Sequence, residues 1–343
     1  MTVFWGAFTP GASDVGGRRH ASRIRRALRP AVVASAAVTL ATAGCSDGGS
    51  KSAAGPVPAH APKTVAAALV DVNVTDTTKA SFAYGDYGAP DLITVDHSLG
   101  QIVGFDVRDA AFSLSVGEAP NTVGVLYGRF DPTPIGAKLA VLGYQKTDLG
   151  HGETQWQIRD DHQPDTSTKS AALASTKAAL NVLRVSKERI AYGGATADLD
   201  AALSDRPGSL ADDAVVGAVA KCLGKDPSGV FTSGPVPIAY GIGPHGTEQL
   251  CVSAPDAATA KAYGETFRQQ VRTGTSARTQ EPWSEWVTDP KVEGLGGKAN
   301  IVRLTVKSVD PTRPELAIAQ ETGDLVTLIG LPEQSDQSDQ SGS

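Results

Sequence analysis

The chain has 343 residues, 41% hydrophobic and 20% charged, with 37 Gly, 21 Pro and one Met. That is a globular composition rich in turns, at a length suited to one large or two medium domains. The formal charge of −6 is unevenly placed, because residues 1–44 hold six arginines and one acid, Asp14, leaving the remainder at −11. An acidic body argues against a nucleic-acid partner, whose phosphates need clustered Lys and Arg, and against polybasic adhesion to anionic lipid.

At the N-terminus, the basic stretch Arg18–Arg29 precedes Pro30 and then AVVASAAVTLATAG at 31–44, which is small, apolar and uncharged. This is a signal-peptide profile. Fourteen helical residues reach about 21 Å, short of the ~30 Å hydrocarbon layer, so the segment does not read as a permanent span. Thr42-Ala43-Gly44-Cys45 ends the run, and a Gly/Ser/Pro-rich tether continues to residue 62.

Small residues before a Cys, followed by a polar tether, resemble the lipobox of bacterial lipoproteins, with Thr42 standing where that family has Leu or Val. The resemblance implies cleavage at Gly44–Cys45, a diacylglyceryl group on the Cys45 sulfur, and anchoring at the outer face of the cytoplasmic membrane. Two or three palmitate-type chains, at ~0.8 kcal/mol per buried CH₂, make a durable anchor where one does not. Ordinary secretion with cleavage near Ala43 is the other reading. The pairs Arg18-Arg19 and Arg25-Arg26 leave both the general and the twin-arginine export routes open. Stretches such as GRFDP, GYQ and KCLG, with the Gly/Ala-rich composition, resemble poorly characterised lipoproteins of high-GC Gram-positive bacteria. That likeness implies location, not activity.

Outside the cytoplasm, Cys222 and Cys251 read as a disulfide more readily than as a metal site, since no CxxC or Cys/His spacing accompanies them. Two buried free thiols are the alternative. The bond would tie a helix over 211–223 to a strand over 248–253.

The body reads as α+β: two antiparallel-sheet units, each with helices packed on one face, over 63–207 and 208–332, then a polar tail at 333–343. In the first unit, 122–127 reads as a strand. Asp131 and Pro132 then start a helix whose buried face holds Ile135, Leu139 and Leu142 and which ends at Gly143. Strands at 154–159, 181–186 and 189–193 follow, then a helix at 196–203; residues 160–178 look like an inserted loop leading into a short helix. In the second unit, a hairpin over 236–242 and 248–253 leads to a helix over 256–272 with the stripe Ala260, Gly264, Phe267 and Val271. Strands are expected at 300–309 and 315–320, with a last apolar piece near 325–331. The strand, Pro/Asp start and helix recur in both units, in layout and not in residue identity, so internal duplication and independent α+β domains are both open.

Motifs for chemistry are scarce. Gly241-Ile242-Gly243-Pro244-His245-Gly246 matches GxGxxG, but Pro244 and the alternating residues after it predict a turn into a second strand, not a helix facing pyrophosphate. Gly294–Ala299 lacks the first Gly and the Mg²⁺-binding hydroxyl of a phosphate loop, so no cofactor is expected. His151, Glu153, Asp160, Asp161, His162 and Asp165 form the densest ligand-type group, at spacings that suit a solvated surface more than a metal. Neither HExxH nor GxSxG occurs, while a dispersed Ser/His/Asp triad would leave no local trace. Trp283, Glu285 and Trp286 present two indoles beside acids, either a strand-start anchor or a sugar- or peptide-contacting surface. The expectation is a non-enzymatic envelope lipoprotein that binds a wall component, small ligand or partner protein. An envelope hydrolase with a dispersed site is the alternative.

Overall fold

In the computed structural model, residues 61–93, 96–163, 178–204 and 208–331 are described. The Arg-rich segment, Cys45, the tether through residue 60, most of the 160–178 insertion and the tail from residue 332 lie outside the described residues. None of the described helices is long and apolar enough to cross a membrane.

A short helix α1 (Val65–Ala68) leads to β1 (Ser81–Tyr84), α2 (Pro90–Ile93) and α3 (Asp96–Ile102). Strands β2 (Ala110–Val116) and β3 (Val123–Gly128) then enter α4 (Pro132–Leu142). Four strands follow, β4 (Gln145–Gly150), β5 (Glu153–Gln157), β6 (Val182–Val185) and β7 (Arg189–Gly193), then α5 (Thr196–Leu203) and α6 (Val216–Leu223). Beyond them lie β8 (Ser228–Thr232), β9 (Ile238–Ile242), β10 (Thr247–Ser253) and α7 (Ala257–Thr273). The chain continues through β11 (Val287–Gly296), β12 (Ile301–Ser308), α8 (Glu315–Glu321) and α9 (Leu325–Leu328).

The twelve strands make one sheet in the order β11-β12-β10-β9-β8-β1-β2-β3-β7-β6-β5-β4, antiparallel at every pairing. The fold is therefore mixed α+β. One plan occurs twice in it. Strands β1, β2 and β3 lie side by side, α4 crosses to β4 at the far edge, and strands return until β7 pairs with β3. Likewise β8, β9 and β10 lie side by side, α7 crosses to β11 at the other edge, and β12 returns to β10. The halves meet where β1 pairs with β8, Phe82 opposite Phe231.

Register shows which helix covers which face, since cross-strand partners share a face and neighbours along a strand do not. Leu250, Tyr240, Val230, Ala83, Ser115, Gly124, Tyr192 and Leu183 follow one another across paired strands and so lie on one face. At one end of this face α4 buries Ile135 and Leu139 with Leu126, Leu183 and Tyr192. At the other end α7 buries Phe267 and Val271 with Leu250, Val252 and Leu304. The opposite face carries Phe82, Val125, Ala191 and Cys251, covered by α1, α5 and α6. Helices thus lie on both faces where one face was expected. Strands β6 and β7 explain this, because VLRV and IAYG are buried on consecutive residues and need cover on each side.

The helix ends follow the sequence signals. Asp131 accepts from the Thr133 N–H at 3.0 Å, Pro132 opens α4, and Gly143 closes it at φ 94°. Asp256 accepts from the Thr259 N–H at 2.7 Å, and this bonding holds its carboxyl below the usual carboxylate range. The α7 stripe includes Gly264, where an added Cβ would stand 2.5 Å from Val292 Cγ1, so the absent side chain lets β11 approach. Cys222 on α6 and Cys251 on β10 are joined by a disulfide, with Cα atoms 6.0 Å apart. One expected strand forms as helix instead, Glu315–Glu321. Ala, Leu, Glu and Gln are strong helix formers, and a buried carboxylate from β10 fixes the N-terminus of this helix, a contact that alternation along the chain does not reveal.

Candidate functional site

The loop after α7 folds back before β11 begins. Thr275 bridges to Pro282, the Ser276 N–H donates to Glu281 O at 2.9 Å, and the Trp283 N–H donates to Gly274 O at 3.1 Å. This closure buries Trp283 at 1% exposure in the α7 core and leaves Trp286 half-buried, the two rings meeting edge to face at 5.3 Å and 86°. The strand-start anchor expected of Trp283 is present. The same residue also forms the back of a cleft of about 60 Å³, lined with Trp286, Arg278, Glu281, Arg313 and residues of α8. Glu285 is exposed and is not among the lining residues.

Two buried carboxylates hold the walls in place. Glu248, on β10 and 1% exposed, accepts from the Glu315 N–H at 2.9 Å, the Leu316 N–H at 2.8 Å and the Ser308 hydroxyl. Three donors satisfy a carboxylate that burial, the largest influence on it, still pushes above its ordinary range. Asp324, 4% exposed beside α9, accepts from the Ser276 hydroxyl at 2.6 Å and from the Arg278 N–H at 3.3 Å. The first tie orients α8, which with the Thr322 that ends it supplies Glu315, Ile318 and Ala319 to the cleft; the second fixes the loop carrying Arg278, Thr279 and Glu281. Sequence reasoning missed both acids, since each acts through chain segments far away in sequence.

The charged groups differ in freedom. Arg313 lies 3.3 Å from the buried Glu315, whose carboxyl burial raises while Arg313 pulls it down. Arg278 is exposed, and its guanidinium makes no ion pair or hydrogen bond among the described residues. Glu281 is exposed at the rim. The cleft therefore offers an aromatic surface, fixed and free guanidinium donors, and a carboxylate acceptor.

The other sequence candidates form no common site among the described residues. His151 sits in the β4–β5 turn, and Glu153 pairs with Arg189 at 2.8 Å. Asp161 caps α5, accepting from the Thr196 N–H at 2.8 Å and the Ala197 N–H at 3.3 Å. His162 Nε2 lies 3.3 Å from Asp198 Oδ2, a carboxyl that burial raises and His162 lowers. Asp165 is outside the described residues. Among the described residues no group of three or more His, Cys, Asp or Glu converges as metal ligands. The GxGxxG segment is the end of β9, Gly241 and Ile242, and the turn into β10, and Gly294 and Gly296 belong to the end of β11.

No family model matches the chain, and no curated protein does. Among solved structures, one described as "Structure of crystal form IV of TP0453" is similar at 10% identity, over 72% of this chain and 97% of that one, with a TM-score of 0.36. A likeness that slight bears on neither fold nor function.

Proposed function

We propose that this is a lipid-anchored cell-envelope protein, held by Cys45 at the outer face of the cytoplasmic membrane, that binds a ligand or partner without turning it over. The observation that carries the binding part is the cleft at Trp283 and Trp286, whose walls are fixed by Glu248 and Asp324. A site held in shape before its ligand arrives loses less entropy on binding. Its two deepest carboxylates, Asp324 and Glu315, are bonded to Ser276 and Arg313 and so serve to hold the walls. The anchor rests on the lipobox, and the disulfide suits an oxidising compartment. The recurring order of three strands, helix, edge strand and return supports reading the halves as duplicated units.

The test is thermal melting of the full-chain protein with and without solubilised envelope extract. A ligand that binds only the folded state raises the Tm, so the extract should raise it for wild type and not for Arg278→Ala. An unchanged Tm for both contradicts the reading. The hydrolase alternative has one observation behind it, the His162–Asp198 pair. Turnover in a substrate screen, lost in His162→Ala, would favour it.

A further inference from the structure

Resting on the reading that the Trp283–Trp286 cleft binds a ligand, its chemistry narrows the ligand class. Charges of both signs line it: Arg278 and Arg313 against Glu281, Glu315 and Asp324. An anion would meet three carboxylates and a cation two guanidiniums, and like charges brought together away from bulk water cost more than they do in solution. Guanidinium only donates hydrogen bonds, ionised carboxylate only accepts them, and a hydroxyl does both. A polyol therefore satisfies both kinds of wall at once without carrying charge itself. The indole adds the complementary half, a broad apolar surface against which the C–H face of a sugar ring lies flat while its hydroxyls point to the rim.

The geometry assigns roles within this pattern. Trp283 is buried and braces Trp286 edge to face at 5.3 Å, so the half-buried indole is held in one orientation. Arg278 projects from a loop fixed by Asp324 and has no competing partner among the described residues, which leaves its planar fork of donors for the ligand. Arg313 is held by Glu315 at 3.3 Å and presents its remaining N–H groups in a set direction. We propose that the cleft binds an uncharged saccharide, one ring stacked on Trp286 and its hydroxyls shared between the Arg278 and Arg313 guanidiniums and the Glu281 carboxylate.

The test is calorimetric titration of the full-chain protein with four probes: triacetylchitotriose and maltotriose as neutral trisaccharides, trigalacturonate as the acidic one, and chitosan trimer as the basic one. At least one neutral probe should bind, and each charged probe should bind it several-fold more weakly. Affinity for the neutral probe should fall roughly tenfold in Arg278→Ala, a guanidinium with no ion pair or hydrogen bond among the described residues, and by a similar factor in Trp286→Ala, with most of it kept in Trp286→Phe. The proposal is overturned if neither neutral probe binds, if a charged probe binds more tightly, or if Arg278→Ala leaves the neutral affinity unchanged. Envelope extract that still raises the Tm in an Arg278-dependent way while the neutral probes fail, or a peptide found in the cleft, would overturn the saccharide assignment and leave the binding reading standing. Failure of both experiments removes the two together.

Discussion

Glu248 of β10 and Leu316 of α8 are 68 residues apart in sequence, yet the Glu248 carboxylate accepts the Leu316 N–H at 2.8 Å inside the core. The same carboxylate takes the Glu315 N–H and the Ser308 hydroxyl, so one side chain joins β10, β12 and α8. Removing it strands buried donors, each costing on the order of 1–3 kcal/mol. Glu248→Ala should destabilise the protein by roughly 2–4 kcal/mol, seen as a lower urea midpoint with little change in slope. Glu248→Gln should cost less, since its one carbonyl oxygen keeps part of the bonding while its NH₂ faces another donor. Equal midpoints for wild type and Glu248→Ala would contradict the role given to this carboxylate.

The second tie to the cleft is Asp324, which holds the Ser276 hydroxyl and the Arg278 N–H. Ser276 is fully buried, so Ser276→Ala leaves a buried carboxylate short of a donor at a cost of about 1–2 kcal/mol. The larger effect should be local: amide hydrogen exchange over 275–282 should speed up while the β1–β3 amides stay protected. Uniform acceleration across the sheet would show that the loop is not a separate opening unit.

The disulfide joins helix to sheet across a separation of 29 residues. Chain-entropy reasoning gives about 3–4 kcal/mol for a closed loop of that size. The Cys222→Ala/Cys251→Ala double variant should melt lower by a matching amount, and reductant should lower the wild-type Tm but not that of the variant. A wild-type Tm indifferent to reductant would contradict a structural bond.

Asp226 contributes one pH-dependent share of the stability. Burial pushes its carboxyl up to about 6, against the pull of the Gln249 hydrogen bond and of Arg303. The folded value lies above the unfolded one, so the folded state holds this proton more tightly. The resulting stabilisation is complete below the unfolded value of 3.8 and is lost as pH rises through about 6. The stability difference between wild type and Asp226→Asn should therefore fall by on the order of 1 kcal/mol from about pH 4 to about pH 7, after discounting for partial exposure. Urea midpoints at a series of pH values measure it, and a flat difference curve would contradict the assignment.

What the sequence showed and what it hid divide along physical lines. Local signals were readable: Asp131-Pro132 with Gly143 bounded α4, Asp256 began α7, and the Gly264, Phe267 and Val271 stripe faced the core. The Cys222–Cys251 pairing and the Trp283 anchor also followed from composition and context. The β1–β8 pairing that makes one sheet of the two halves is long-range and leaves no local pattern. Strand β4, exposed along its whole length at the sheet edge, has no apolar alternation to reveal it. Residues 315–320 alternate like a strand, and only Glu248 from another element accounts for the helix they form. The cleft was half legible for the same reason: its indoles stand together in sequence, whereas Arg278, Arg313 and the two tying carboxylates come from four separate places.

The central claim, a binding protein tethered by lipid at the outer membrane face, is tested most directly by intact mass and fractionation of the native protein beside Cys45→Ala. The account predicts that the native chain starts at Cys45, carries acyl mass and partitions with membranes, while the variant lacks the acyl mass and leaves the membrane fraction. A native chain that keeps residues 1–44, carries no acyl mass and fractionates with the cytosol would contradict it.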